Sequence, residues 1–173
     1  MDDRARRGYE LIHDDLARQG RDIKDVEALL ESQQIETPSW GYANSGTRFA
    51  VFAQPGVPRN AFEKIEDAAE VQRHTGVCPG VAIHIPWDAV DDYAELQDHA
   101  FDHGMHIGAV NPNLFQDPDY RLGSVCNPVP EVRRKATQHL IDCIQIAELV
   151  GSKAISLWFA DGTNYPGQDS FQA

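Results

Sequence analysis

Three short apolar runs constrain this chain more than anything else in it: VAIHIPW from Val81, MHIGAVN from Met105 and KAISLWF from Lys153. Segments with helical signals separate them. Asn60, with Glu63 three residues on, gives an N-terminal cap signal for the helix AFEKIEDAAEVQRHT, which Gly76 ends. Asp88 reads as the cap of AVDDYAELQDHAFDH, which Gly104 ends, and a long helix is expected from Glu131 to Val150 with Gly151 as its stop. None of the three runs alternates polar with apolar residues. That is the pattern of a parallel sheet covered on both sides by helices.

Doubly wound sheets and (β/α)8 barrels both satisfy this alternation. A nucleotide-binding doubly wound sheet needs a glycine-rich first βα turn, and neither AQPGVPRN nor HIPWDAV provides one. Each run instead leads into bulky aromatic and polar residues, as when a barrel places its chemistry at the carboxyl ends of many strands. Ahead of this pattern, Arg4–Gln19 and Asp22–Gln33 read as amphipathic helices, with Leu11, Ile12 and Leu16 on one stripe and Ile23, Val26, Leu29 and Leu30 on the other. The first strand is ambiguous. By β-propensity Thr47–Ala53 is better than Ile35–Tyr42, because Pro38 removes a ladder donor from the latter.

Composition narrows the function classes. A formal net charge of −12 would repel a phosphate backbone, so nucleic acid is not an expected partner. No run reaches the apolar length of a membrane span, and the N-terminus lacks the apolar core of a signal peptide. Cys78, Cys126 and Cys143 form no C-x-x-C pair and read as reduced thiols of a cytoplasmic protein, each a small buried hydrophobe.

The strand ends hold the chemistry. His84 and Trp87 lie toward the carboxyl end of the apolar run VAIHIPW, where an imidazole costs free energy unless a hydrogen bond satisfies it. A polar group beside an aromatic wall suits a sugar, whose rings offer apolar C–H faces and hydroxyl edges. Asn111, Asn113 and Phe115 stand at the next strand end and Trp158 and Asp161 at the last, although asparagines beside Pro112 and Asp161 before Gly162 also serve ordinary turns. His99 and His103 have the i, i+4 spacing of a zinc pair. Without an H-E-x-x-H, and with Asp98 and Asp102 beside them, they read as part of a solvated helix face. His13, with Asp14 and Asp15, reads likewise. None of the three apolar runs carries a carboxylate, so no metal-ligand cluster is legible.

Taken together, SWGYANSGTRFAVFAQPG, GVAIHIPWD and SLWFADGTNYPGQDS resemble the N-terminal half of bacterial L-rhamnose isomerases of the type that also acts on D-allose, within the xylose-isomerase-like TIM barrels. The resemblance covers nearly the whole chain. It implies an α/β fold, a partial (β/α)8 TIM barrel of about the first four βα units. Residues 1–34 would be an N-terminal helical segment, 35–170 the half-barrel and 171–173 a divergent tail. It moves the first strand to Ile35–Tyr42 and makes GTRFAVFAQPG a lid-like segment. It implies an aldose–ketose isomerase, L-rhamnose to L-rhamnulose, cytoplasmic, usually a homotetramer, using a divalent metal, often manganese. His84 would hydrogen-bond a sugar oxygen and help ring opening. Trp40, Trp87, Trp158 and, less directly, Phe115 would contact substrate, and Phe49 would be an aromatic lent to a neighbouring subunit. The metal ligands of that family come from later strands, so no metal ligand is expected in this chain, which reads as a truncated form with negligible activity alone. A non-catalytic half-barrel and a sugar epimerase on the same fold are the alternatives.

Overall fold

The sheet of the computed structural model has three parallel strands in chain order, β1 (Glu36–Pro38), β2 (Gly80–Ile85) and β3 (His106–Pro112). Residues 2–44 and 51–159 are described by the structure. Five α-helices lie among them: α1 (Asp3–Arg18), α2 (Ile23–Glu31), α3 (Ala61–Thr75), α4 (Tyr93–Asp102) and α5 (Pro130–Leu149). The chain divides into two compact units, Met1–Gln34 with α1 and α2, and Ile35–Ala173 with everything else. Among the described residues no helix is long and apolar enough to cross a membrane.

In the first unit both helices start on an aspartate cap: Asp2 accepts from the Ala5 N–H and Asp22 from the Lys24 N–H. The Tyr9 hydroxyl donates to Glu27 at 2.7 Å, joining α1 to α2. The expected apolar stripes are only partly covered, since Leu11, Ile12, Leu29 and Leu30 are all exposed.

In the second unit β2 is the central strand and is buried along its full length. Val81, Ile83 and Ile85 pack with Ile65 of α3, Leu96 of α4 and Cys143 of α5 in one core. Burying each large aliphatic side chain there is worth roughly 1.5–3 kcal/mol. Both ends of α3 follow the sequence signals. Asn60 caps α3 by accepting from the Glu63 N–H, and Gly76 closes it with φ 72°, a left-handed conformation suited to glycine.

The first strand implied by the resemblance is met, and two other expectations are corrected. The first strand falls within Ile35–Tyr42, as three residues followed by a 3₁₀ turn at Ser39–Gly41; Thr47 to Ala50 of the competing segment lie outside the described residues. Asp88 does not cap a helix. Helix α4 begins only at Tyr93, with Asp92 accepting from the Ala94 and Glu95 N–H groups. The run from Lys153 is no full strand among the described residues. It makes a single parallel bridge, Ile155 to Val110, through two backbone hydrogen bonds of 3.0 Å. That short pairing still places a fourth parallel segment beside β3. Of the cysteines, Cys78 and Cys143 are buried and Cys126 is exposed.

A bulge marks the β2–β3 pairing. Val81 pairs with Ile107 but Ile83 with Val110, leaving one extra residue in β3. The Glu36 carboxylate reaches from β1 past Gly80 and accepts from the Ala109 N–H at 2.7 Å. A Cβ on Gly108 would lie 1.4 Å from that carboxylate oxygen, so only glycine fits while Glu36 holds this position.

Candidate functional site

The carboxyl ends of the strands converge on His84. Trp40 comes from the turn after β1, His84 from β2, Trp87 from just beyond β2, Phe115 from just beyond β3 and Trp158 from the segment bridged to β3. Strand order dictates this meeting, because parallel neighbours deliver their following residues to the same end of the sheet. The Trp87 indole stacks on the imidazole, centroids 3.9 Å apart and planes within 18°. Trp40 meets the same ring edge-on at 5.3 Å and Phe115 at 5.8 Å. Phe115 in turn contacts Trp158 at 4.8 Å. Every described residue expected at the site thus joins one chain of ring contacts. Phe49 lies outside the described residues.

Exposure grades across the cluster. His84 is 6% exposed, Trp40 37%, Trp87 40% and Trp158 62%, so an imidazole sits at the bottom of a partly open aromatic bowl. His84 Nδ1 is buried and has no hydrogen-bond partner among the described residues. Such a nitrogen is costly unless something else satisfies it. Burial pushes the His84 pKa down to about 4, and the nearby Asp88 charge only partly opposes this. The imidazole is therefore neutral at neutral pH and can both donate and accept.

What holds His84 in place was missed from the sequence. Asp88 is fully buried and accepts from the His84 backbone N–H at 2.7 Å, from the Lys64 ammonium at 2.5 Å and from the Ser39 hydroxyl. Lys64 on α3 is itself 6% exposed, so this is a buried ion pair. Ser39 immediately precedes Trp40. One carboxylate thus ties the end of β1, the end of β2 and helix α3 together behind the two rings.

Gln116 was missed as well. Its side-chain oxygen accepts from the Trp87 indole N–H at 2.9 Å and from the Asn113 amide at 3.0 Å. Asn113 uses its own oxygen to accept from the Phe115 and Gln116 N–H groups, a local turn that aims Phe115. Asn111 donates to backbone carbonyls of Ile83 and Ala109. Asn111 is thus engaged with the backbone, and Asn113 with the backbone and the Gln116 side chain. A separate cavity of about 610 Å³, lined by Pro86, Gln116, Tyr120, Lys135 and His139 among others, contains none of the aromatic residues expected at the site.

The described residues do not fit a divalent metal at the strand ends. Asp88 is the carboxylate held behind His84, and its oxygens are taken up by Lys64, Ser39 and the His84 N–H. The one group of described residues able to converge on an ion lies on the helices.

No family model matches the chain. Over 174 aligned residues it is 41% identical to a protein of Rhizobium meliloti named a probable sugar isomerase, an alignment covering 98% of this chain and 40% of that one. A protein of Mesorhizobium japonicum with the same description is 39% identical over 170 residues, covering 95% of this chain and 39% of its own. The chain therefore spans about two fifths of the length of these curated relatives, and its likeness to them runs through every element that builds the aromatic bowl.

Proposed function

We propose that this chain forms the substrate-gathering part of a sugar isomerase of the aldose–ketose type, with L-rhamnose to L-rhamnulose as the reaction. The observation that carries this reading is the contiguous ring cluster of Trp40, His84, Trp87, Phe115 and Trp158 at the carboxyl ends of parallel strands. Its likeness to two proteins named probable sugar isomerases supports the reaction class. The order β1–β2–β3 followed by the Ile155 segment, without reversal, supports the first staves of a (β/α)8 barrel.

On this reading the indoles and Phe115 cover the apolar face of the sugar and exclude water, while neutral His84 exchanges a hydrogen bond with a ring or carbonyl oxygen and assists ring opening. Lys64 and Asp88 act through the backbone to keep the imidazole against Trp87. Phe49 is proposed as the aromatic reaching a neighbouring subunit, within a homo-oligomer. Manganese would supply charge stabilisation in the complete site. The described strand ends themselves lack a ligand set for it.

Calorimetric titration tests the proposal. L-rhamnose should bind more tightly than D-glucose, and Trp87→Ala should weaken it about tenfold or more, by loss of the stacked wall. Equal response to every sugar, or no effect of Trp87→Ala, would sink the reading. With manganese and L-rhamnose the 173 residues alone are expected to yield negligible ketose.

A further inference from the structure

On the helical side of the second unit, Glu66 of α3, His99 of α4 and His103, which follows α4, bring one ligating atom each within 4.8 Å of one another. We propose that these three side chains form a binding site for a divalent transition-metal ion of the zinc class, separate from the sugar site.

Three observations carry the proposal. His99 Nε2 is buried without a hydrogen-bond partner among the described residues, and it lies 3.5 Å from the Glu66 carboxylate. That separation lacks hydrogen-bond geometry, yet two ligands of one tetrahedral zinc stand about 3.3 Å apart when each is roughly 2.0–2.1 Å from the ion. The two atoms already have the spacing of a shared ion. Second, His103 Nδ1 lies 2.8 Å from the His99 carbonyl oxygen. A carbonyl can only accept, so Nδ1 carries the hydrogen and Nε2 of the neutral ring presents its lone pair. This backbone-fixed tautomer is the one that metal-binding histidines commonly adopt. Third, the two imidazole centroids stand 4.4 Å apart, and Phe62 packs edge-on to His99 at 5.2 Å, which fixes the inner ring. Glu66 and His103 are exposed, so the flexible Glu66 side chain can close the remaining distance while His103 keeps its backbone hydrogen bond.

Two imidazoles and one carboxylate suit zinc, cobalt or nickel rather than the oxygen-preferring magnesium or calcium. Three protein ligands leave a coordination position for water or an outside group. Because the ligands come from two neighbouring helices, the ion would clamp α3 to α4. It would bind the folded chain in preference to the unfolded one and raise its thermal midpoint.

The test uses the tag-free 173-residue chain and cobalt(II) as the probe, whose visible absorption reports tetrahedral nitrogen and oxygen ligation. One cobalt per chain is expected, displaced by zinc, with a rise in thermal midpoint on zinc addition. Glu66→Gln and His103→Gln alter exposed side chains and should each weaken cobalt binding by about 10- to 100-fold and abolish the zinc-dependent rise. Absence of the cobalt bands, or equal binding by wild type and both variants, overturns the proposal. Because neither readout involves sugar or turnover, the outcome is independent of the isomerase reading.

Discussion

His84 and Asp88 show how much two residues can set. Free histidine titrates near 6.5, whereas burial holds this one down to about 4. Between those values the unfolded chain binds the proton and the folded chain does not. The contribution of the neutral imidazole to stability is thus fully present above about pH 6.5, and it fades as pH falls toward 4. An NMR titration should find the His84 ring proton shifting with a midpoint near 4; a midpoint near 6.5 would contradict the burial of the ring. For Asp88 the expected cost is larger. Asp88→Asn strands the Lys64 ammonium in the interior and should lower stability by about 3–5 kcal/mol in urea unfolding. Pairing it with Lys64→Met should recover much of the loss. At this scale the sequence was readable where an unusual residue sat at the end of an apolar run, as His84, Trp87 and Trp158 do. It was unreadable where one residue type has two common uses. Asp88 before a helical stretch looks like a cap, and Lys64 looks like any lysine on a helix; only the folded chain shows them facing each other.

Among the elements, alternation of strands and helices was legible because parallel strands covered on both faces leave continuous apolar runs. The start of α4 was misplaced although its signal was present: Asp92 with Glu95 three residues on is a stronger start than Asp88, which Ala89, Val90 and Asp91 separate from regular periodicity. The bulge in β3 had no local signal at all. It depends on Glu36, distant in sequence, replacing a ladder partner for the Ala109 N–H. Gly108→Ala must expel that carboxylate and leave the N–H unpaired, so it should destabilise the chain by about 1–3 kcal/mol. Thermal or urea unfolding reads this directly, and an unchanged midpoint would show that Glu36 is dispensable to the sheet. The same change at Gly8, whose Cβ would meet nothing within 4 Å, serves as a control.

For the whole molecule, the segment beside β3 leaves Leu157, Trp158 and Phe159 between 45% and 62% exposed, an apolar row next to a strand with a single bridge. Such a row favours self-association as a second property of these residues. Size-exclusion chromatography with light scattering should show a defined oligomer rather than a monomer, and Leu157→Asp should shift it toward monomer. The aromatic bowl carries one further consequence. The sequence has three tryptophans, Trp40, Trp87 and Trp158, and all three belong to the same run of ring contacts around one imidazole. Ultraviolet emission from the indoles of this protein therefore has no background from elsewhere in the fold. A sugar settling among the rings, or a proton arriving on His84, would be seen in the entire fluorescence signal of the chain.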